Sequence, residues 1–315
     1  MLHNYLKIAI RSLLRTKTHS LINILGLGIG IACCILIVLF VRDEWTFDTF
    51  HTKAHRIYRV WTLEAYGEDE KFFNSVTPFP MGKTLKENFA EVSHTVQFHE
   101  SSALVKVGDK QISEVIQITS EDFFEVFDFT LISGSVKEAL QSTSSVVLTR
   151  KMAQKYFGSE DPINKTMAIQ LGERFEDFSV KAVMEDIPSN SSIRFGILIS
   201  AQNNGKLYDE RMQNGWFNII PETYVLLNEG TAPSSLTPKF IPLFKTLLGP
   251  DFEGTYEVGL QPLLDIHLNN DFPAGIAPVS NPRYSYILAA VALLILIVAC
   301  INFVTLSVGR SLKRA

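Results

Sequence analysis

Two unbroken apolar runs stand near the two ends of the chain, Leu21–Val41 and Tyr286–Val308. At about 1.5 Å rise per residue, some 20 residues cross the ~30 Å hydrocarbon layer, so each run is long enough to span a bilayer as a helix. Between them the pattern changes to short alternations and amphipathic stretches. Ile57–Leu63 is β-branched and aromatic and predicts a strand. Thr77-Pro78 predicts a cap for a helix carrying Met81, Leu85 and Phe89 on one face. Leu104–Val107 and Ile112–Ile118 flank Gly108-Asp109 as a hairpin. Ser145–Leu148 predicts a strand, Thr149 the cap of a helix with Met152, Ala153, Tyr156 and Phe157, and Gly158 its end. Phe178, Val180, Ala182 and Met184 alternate as one face of a strand. Glu222–Leu227 and Tyr256–Leu260 predict two more strands, with a helix over Leu236–Leu247 that Pro242 opposes. Ala201–Gly215 is polar and predicts a long exposed loop. Mixed strands, helices and hairpins give an α+β domain, Arg42–Ser285, between two transmembrane helices.

Charge orients this arrangement. Lys7, Arg11, Arg15 and Lys17 precede the first run, and Arg310, Lys313 and Arg314 follow the second; all 33 acids lie between. Basic residues beside short flanks mark the cytoplasmic side, so both termini are expected inside and the acidic middle outside. Residues 2–17 place Leu2, Leu6, Ala9 and Leu13 on one helical face and Lys7, Arg11 and Arg15 on another, a pattern suited to the lipid headgroup layer. Trp45, Phe47, Tyr284 and Tyr286 sit where interfacial aromatics are expected. Arg42-Asp43-Glu44 offers no signal-peptide cleavage site, which favours an uncleaved anchor.

Candidate chemistry is sparse. Cys33, Cys34 and Cys300 all fall in the apolar runs, as small fillers rather than a redox or metal pair. Gly82-Lys83-Thr84 lacks the upstream Gly of a phosphate loop, and Pro78 and Pro80 remove amides that a phosphate would need. His51 and His55 are four apart without an HExxH context, and read as surface or capping residues. No GxSxG elbow and no basic–aromatic patch is present, so no catalytic residue, cofactor, metal or nucleic-acid partner is assigned. In the first apolar run Gly26 and Gly30 share one helix face, which allows another helix to approach closely. Asn302, with Thr305 and Ser307, is a candidate for hydrogen bonding between helices.

The ordered motifs resemble the N-terminal part of MacB/FtsX-type ABC transporter permeases. They include Asn4-Tyr5-Leu6-Lys7, Ser20–Leu27, Phe47-Asp48-Thr49-Phe50-His51, Arg56–Val60, Thr77-Pro78-Phe79-Pro80 and Ser145–Thr149. Lys155-Tyr156-Phe157-Gly158, Asp161-Pro162-Ile163, Asp186-Ile187-Pro188, Gln261-Pro262-Leu263 and Asp265-Ile266-His267-Leu268 continue the series to Ala299–Phe303 and Ser311–Ala315. Asn164 and Gly309 stand where the family more often has Gly and Ala.

The resemblance implies a periplasmic core with a porter-like βαβ lobe built from about 46–100 and 218–283, and a second lobe inserted at about 101–217. It implies a multi-pass protein of the bacterial inner membrane, with residues 309–315 starting a cytoplasmic segment. The expected role is to carry ATP-driven motion from a separate ATP-binding subunit to the periplasm, for export or envelope signalling. Expected partners are that subunit, a second permease copy or half, a periplasmic adaptor and membrane lipid. Family members continue into further spans, so these residues are expected to be a fragment of the whole permease. A two-span sensor with a ligand-binding periplasmic domain shares the same topology and stands as the alternative.

Overall fold

The computed structural model describes residues 17–66, 70–250, 252–273 and 275–312. The expected interfacial helix, with Lys7, Arg11 and Arg15, and the terminal Lys313 and Arg314 lie outside them. Contacts divide the chain into two units: the two long helices, and Phe47–Ser280.

The first unit pairs α1 (Lys17–Trp45) with a second long helix, Pro282–Leu312. Within them, Ile24–Trp45 and Pro282–Thr305 are long and apolar enough to cross a membrane, and nearly all their side chains lie open rather than buried. A core helix of a soluble protein would bury such residues; leucines and isoleucines exposed on all sides of a helix call for an apolar solvent.

The second unit is built on eleven strands: β1 (Ile57–Tyr66), β2 (Glu70–Asn74), β3 (Val92–Val107), β4 (Lys110–Thr119), β5 (Leu131–Gly134), β6 (Ser145–Thr149), β7 (Thr166–Leu171), β8 (Arg174–Met184), β9 (Ile197–Ser200), β10 (Glu222–Leu227) and β11 (Thr255–Pro262). Its longer helices are α2 (Pro80–Asn88), α3 (Arg150–Phe157) and α4 (Phe240–Leu248); Pro282–Leu312 is α5. One sheet runs β11-β1-β10-β3-β4-β9-β6-β8-β5.

Two layers of organisation follow from the pairings. At one end β11, β1, β10 and β3 are antiparallel neighbours, with α2 connecting β1 to β3 and α4 connecting β10 to β11. This is the split-βαβ arrangement, closed by one helical face. Met81 and Leu85 from α2, Phe89 just after it, and Phe240 and Phe244 from α4 pack on Val60, Val225 and Val258. Between β3 and β10 a second lobe is inserted. There β3, β4, β9, β6, β8 and β7 pair in sequence and β7 returns to β3, so the ladder closes on itself. Val105, Ile118, Val146, Met167, Phe178 and Ile199, one from each strand, form its core. Long β3 belongs to both lobes: residues 92–98 pair with β10, and 98–107 with β4.

Local expectations mostly hold. Thr149 Oγ1 accepts from the Met152 amide, and Gly158 ends α3 at φ +64°, a conformation that costs a side-chain-bearing residue. Pro242 does not stop α4, because it stands in the first turn, where its missing N–H would have had no helical partner. Thr77 is not a helix cap. Its amide and hydroxyl instead meet Pro221 O at 2.7 and 3.2 Å, and Phe79 takes the cap position without a side-chain bond. Residues 201–215 are not an open loop: a 3-10 turn and a short helix form there, and Asn203 and Asn204 are buried.

Candidate functional site: a small-residue helix seam and a buried polar knot

In the helix unit, the seam lies where small side chains let two backbones approach. A Cβ placed on Gly30 would stand 3.0 Å from Ala299 Cβ, and one on Gly26 would stand 3.3 Å from Asn302 Nδ2; one on Gly28 would touch nothing. Cys34 Sγ donates to Ala292 O at 3.2 Å, and Ala292 and Ala299 are buried. The three residues singled out for helix packing, Gly26, Gly30 and Asn302, thus meet in one antiparallel interface. Among the described residues Asn302 contributes a packing contact rather than a hydrogen bond, and Thr305 Oγ1 bonds back to Ile301 O at 2.7 Å, within its own helix. At the other end Trp45 meets Tyr286 edge-on, with centroids 5.6 Å apart. Lys17 and Arg310 fall in the terminal turns of α1 and α5.

Phe47 does not join these aromatics. It is buried in the second unit, where its ring stacks on His267 at 3.3 Å with planes 2° apart. It opens a seven-residue segment, Phe47–Lys53, whose polar groups reach three distant parts of the domain. Asp48 donates its amide to Asn190 O at 2.9 Å and accepts the Ser192 amide on Oδ1 at 2.8 Å. Thr52 donates its amide and hydroxyl to Asp128 Oδ2 at 2.6 and 2.8 Å, and Lys53 Nζ donates to Glu125 O at 2.5 Å. His51 Nδ1 accepts the Asp128 amide at 3.0 Å. His267, beneath Phe47, donates from Nδ1 to Pro278 O at 2.9 Å, and its main-chain carbonyl accepts the Ser280 amide at 2.7 Å. The surface reading of His51 is therefore wrong: its side chain is fully enclosed, in contact with the rings of Phe127 and Phe129. His51 and His55 do not form a pair of ligands, and no cluster suited to a metal occurs among the described residues.

The charges of the knot follow from its burial. Desolvation pushes the Asp48 carboxyl up to about 6, against the pull of its Ser192 bonds and of His267. It pushes His51 down to about 4, so the ring is neutral at pH 7, with its proton on Nε2 because Nδ1 is an acceptor. The two groups act oppositely on stability. Folded Asp48 holds its proton over a range where the unfolded residue has lost it, so its contribution falls as pH rises from about 4 to about 6. His51 refuses a proton that the unfolded residue would take, so its contribution grows as pH rises from about 4 towards 6.5. Asp48→Asn should therefore raise the melting temperature at pH 7 and leave it unraised at pH 4. The upper limit is about 3 kcal/mol. Asp48 sits at φ +57°, which Asn tolerates well, so backbone strain does not mask the effect. Melting curves of both proteins between pH 4 and 7.5 check this; a difference independent of pH would show that the buried charge costs nothing.

A second buried polar group lies under β1. Arg59, Glu222 and Gln261 are almost fully enclosed. Arg59 Nη1 donates to Glu222 Oε1 at 2.9 Å, while Nε and Nη2 donate to Gln261 Oε1 at 3.2 and 2.6 Å. Glu222 also accepts the Tyr224 hydroxyl at 2.6 Å and the Ile276 amide at 3.0 Å. Arg59 and Gln261 lie in two of the family-like motifs, but nothing along the chain joined them to each other or to Glu222, which stands 163 residues from Arg59.

Comparison with known proteins adds the family. Residues 20–240 match the model of the MacB-like periplasmic core domain. No curated protein sequence matches the chain. Among solved structures, a domain of a protein assigned as a permease from Porphyromonas gingivalis superposes with a TM-score of 0.59 at 18% identity, covering 76% of this chain and 98% of its own. The periplasmic region of MacB from Actinobacillus actinomycetemcomitans gives 0.44 at 17% identity, over 70% and 92%. The extracellular domain of the ABC-type transporter YknZ from Gram-positive bacteria gives 0.42 at 13%, over 64% and 98%. The family match spans α1 and every strand but the last, and the chain belongs to the MacB-like periplasmic core domain family of ABC transporter permeases.

Proposed function

We propose that the chain is the mechanical part of such a permease: α1 and α5 cross the inner membrane with both termini cytoplasmic, and pass ATP-driven motion to the periplasmic core for export or envelope signalling. ATP is hydrolysed on a separate ATP-binding subunit. The other partners are a second permease copy or half, a periplasmic adaptor and the lipid met by the basic ends.

The polar knot is the observation that carries this reading. A flexible linker after α1 would absorb a displacement of that helix. Instead the chain, from its second residue beyond Trp45, is held by stacking and by short bonds to the 125–128, 190–192 and 267–280 segments. Packed and hydrogen-bonded elements of this kind move as discrete bodies rather than yielding gradually. A pull arriving through the main chain at Thr46 is therefore delivered to both lobes.

The test is co-purification of the permease with an ATP-binding subunit. Retention of the subunit is expected. Its absence, from a protein whose core still melts cooperatively, would overturn the coupling. A single thiol introduced at Lys110, in the hairpin strand β4, should react with an impermeant reagent outside intact spheroplasts. Reaction only after permeabilisation would reverse the proposed topology.

A further inference from the structure

We propose that a pocket beside the knot binds an apolar organic cation. The pocket, open to solvent on one side, has a volume of about 460 Å³, within the ordinary range for small-molecule sites. Its walls carry four rings, Phe50, Phe124, Phe127 and Phe129, together with Asp128 and Thr130. Phe50, Phe124 and Phe129 are only partly buried, so apolar ring surface is left facing the opening.

The chemistry selects the sign of the ligand. Aromatic faces carry partial negative charge and attract cations, by about 0.5–2 kcal/mol per ring according to desolvation. Asp128 supplies the only ionisable group on the walls. Both Thr52 bonds fall on its Oδ2, and Oδ1 accepts from no described residue. The nearby basic groups do not compensate it. Lys53 Nζ is directed to Glu125 O and forms no ion pair with Asp128, and His51 accepts the Asp128 amide on Nδ1 as a neutral ring. A neutral apolar ligand would desolvate the free carboxylate oxygen without replacing its water, and an anion would meet repulsion. A cation with an apolar body satisfies rings and carboxylate together.

The position gives such a ligand a consequence. Phe50 belongs to the segment that follows α1, and Asp128 is the group that segment grips. An occupant would touch both sides of that tie. Binding itself does not depend on ATP-driven motion, so its test is separate from that of the coupling.

Tetraphenylphosphonium and tetraphenylborate have the same shape and opposite charge, and serve as paired probes. Equilibrium dialysis against the full chain in lipid nanodiscs, with empty nanodiscs as blank, should give saturable uptake of one phosphonium per chain and no borate uptake above the blank. Asp128→Asn, which keeps an acceptor for Thr52, should weaken phosphonium binding at least about tenfold. Thr130→Lys adds a cation at an exposed position and should abolish it without disturbing the fold, which guards against a folding defect in the first variant. Equal uptake of both ions, no saturable uptake, or unchanged affinity in Thr130→Lys would overturn the proposal.

Discussion

Glu222→Ala is expected to destabilise the periplasmic unit by about 3–5 kcal/mol, the usual cost of leaving a buried ion with its partner removed. Arg59 would keep its charge at 0% exposure with only Gln261 as acceptor. The Tyr224 hydroxyl, which burial and then the charge of Glu222 hold protonated well above the ordinary tyrosine range, would lose its acceptor too. The Ile276 amide would be a third orphan. For a unit of this size, that loss lowers the melting temperature by about 10 °C. The double change Arg59→Met with Glu222→Leu should recover only the part owed to the stranded charge, because the Tyr224 hydroxyl and the Ile276 amide still lack their acceptor. Thermal melts of the full chain in detergent decide the matter. A fall of less than about 1 kcal/mol in the single variant would mean that water reaches Arg59.

Gly30→Leu should open the helix seam while leaving the periplasmic unit's melt unchanged. The first added carbon already meets Ala299 Cβ at 3.0 Å, with Ile295 Cγ2 at 3.8 Å, so the facing helix must give way before the rest of a leucine is placed. Overpacking of this kind costs about 1–3 kcal/mol, and small residues are what permit close approach in lipid. Gly28→Leu is the matched control, with the same gain in hydropathy and helix propensity but open space around the new side chain. The readout is a disulfide between Cys34 and a cysteine at Ala292, in a chain with Cys33 and Cys300 replaced by serine. Gly30→Leu should slow its formation at least about tenfold, equivalent to about 1.4 kcal/mol. Equal rates in the two leucine variants would show that the glycines do not set the interface.

The outcomes at particular residues show which signals were legible. Thr149 and Gly158 bracket α3 as expected because capping is local: each needs only its neighbours in sequence. Thr77 carries the same cap chemistry, yet its bonds go to Pro221, a residue 144 positions away, because the sheet brings a better acceptor. Asn203 and Asn204 look like loop residues by type, yet both are buried, in a 3-10 turn where Asn203 Nδ2 donates to Ser200 O at 3.2 Å. Phe50 beside His51 was only a weak sign of enclosure, since the other rings that close over it come from residues 127 and 129. The pocket was equally invisible, because Phe50 and Asp128 are far apart along the chain.

What the sequence determined by itself was the periodic and the local: two apolar runs, strands β1, β4, β6, β8, β10 and β11 with the end of β3, the main helices between them, the small-residue face at Gly26 and Gly30, and an acidic middle between basic ends. These follow from side-chain transfer energies and backbone preferences that act over a few residues. Only the tertiary structure decided the rest. It joined Arg59 to Glu222, bound the Phe47–Lys53 segment to three remote loops, and gathered four phenylalanines around one carboxylate. Burial, pairing and pKa depend on which distant groups exclude water from a side chain, and no window along the chain carries that information.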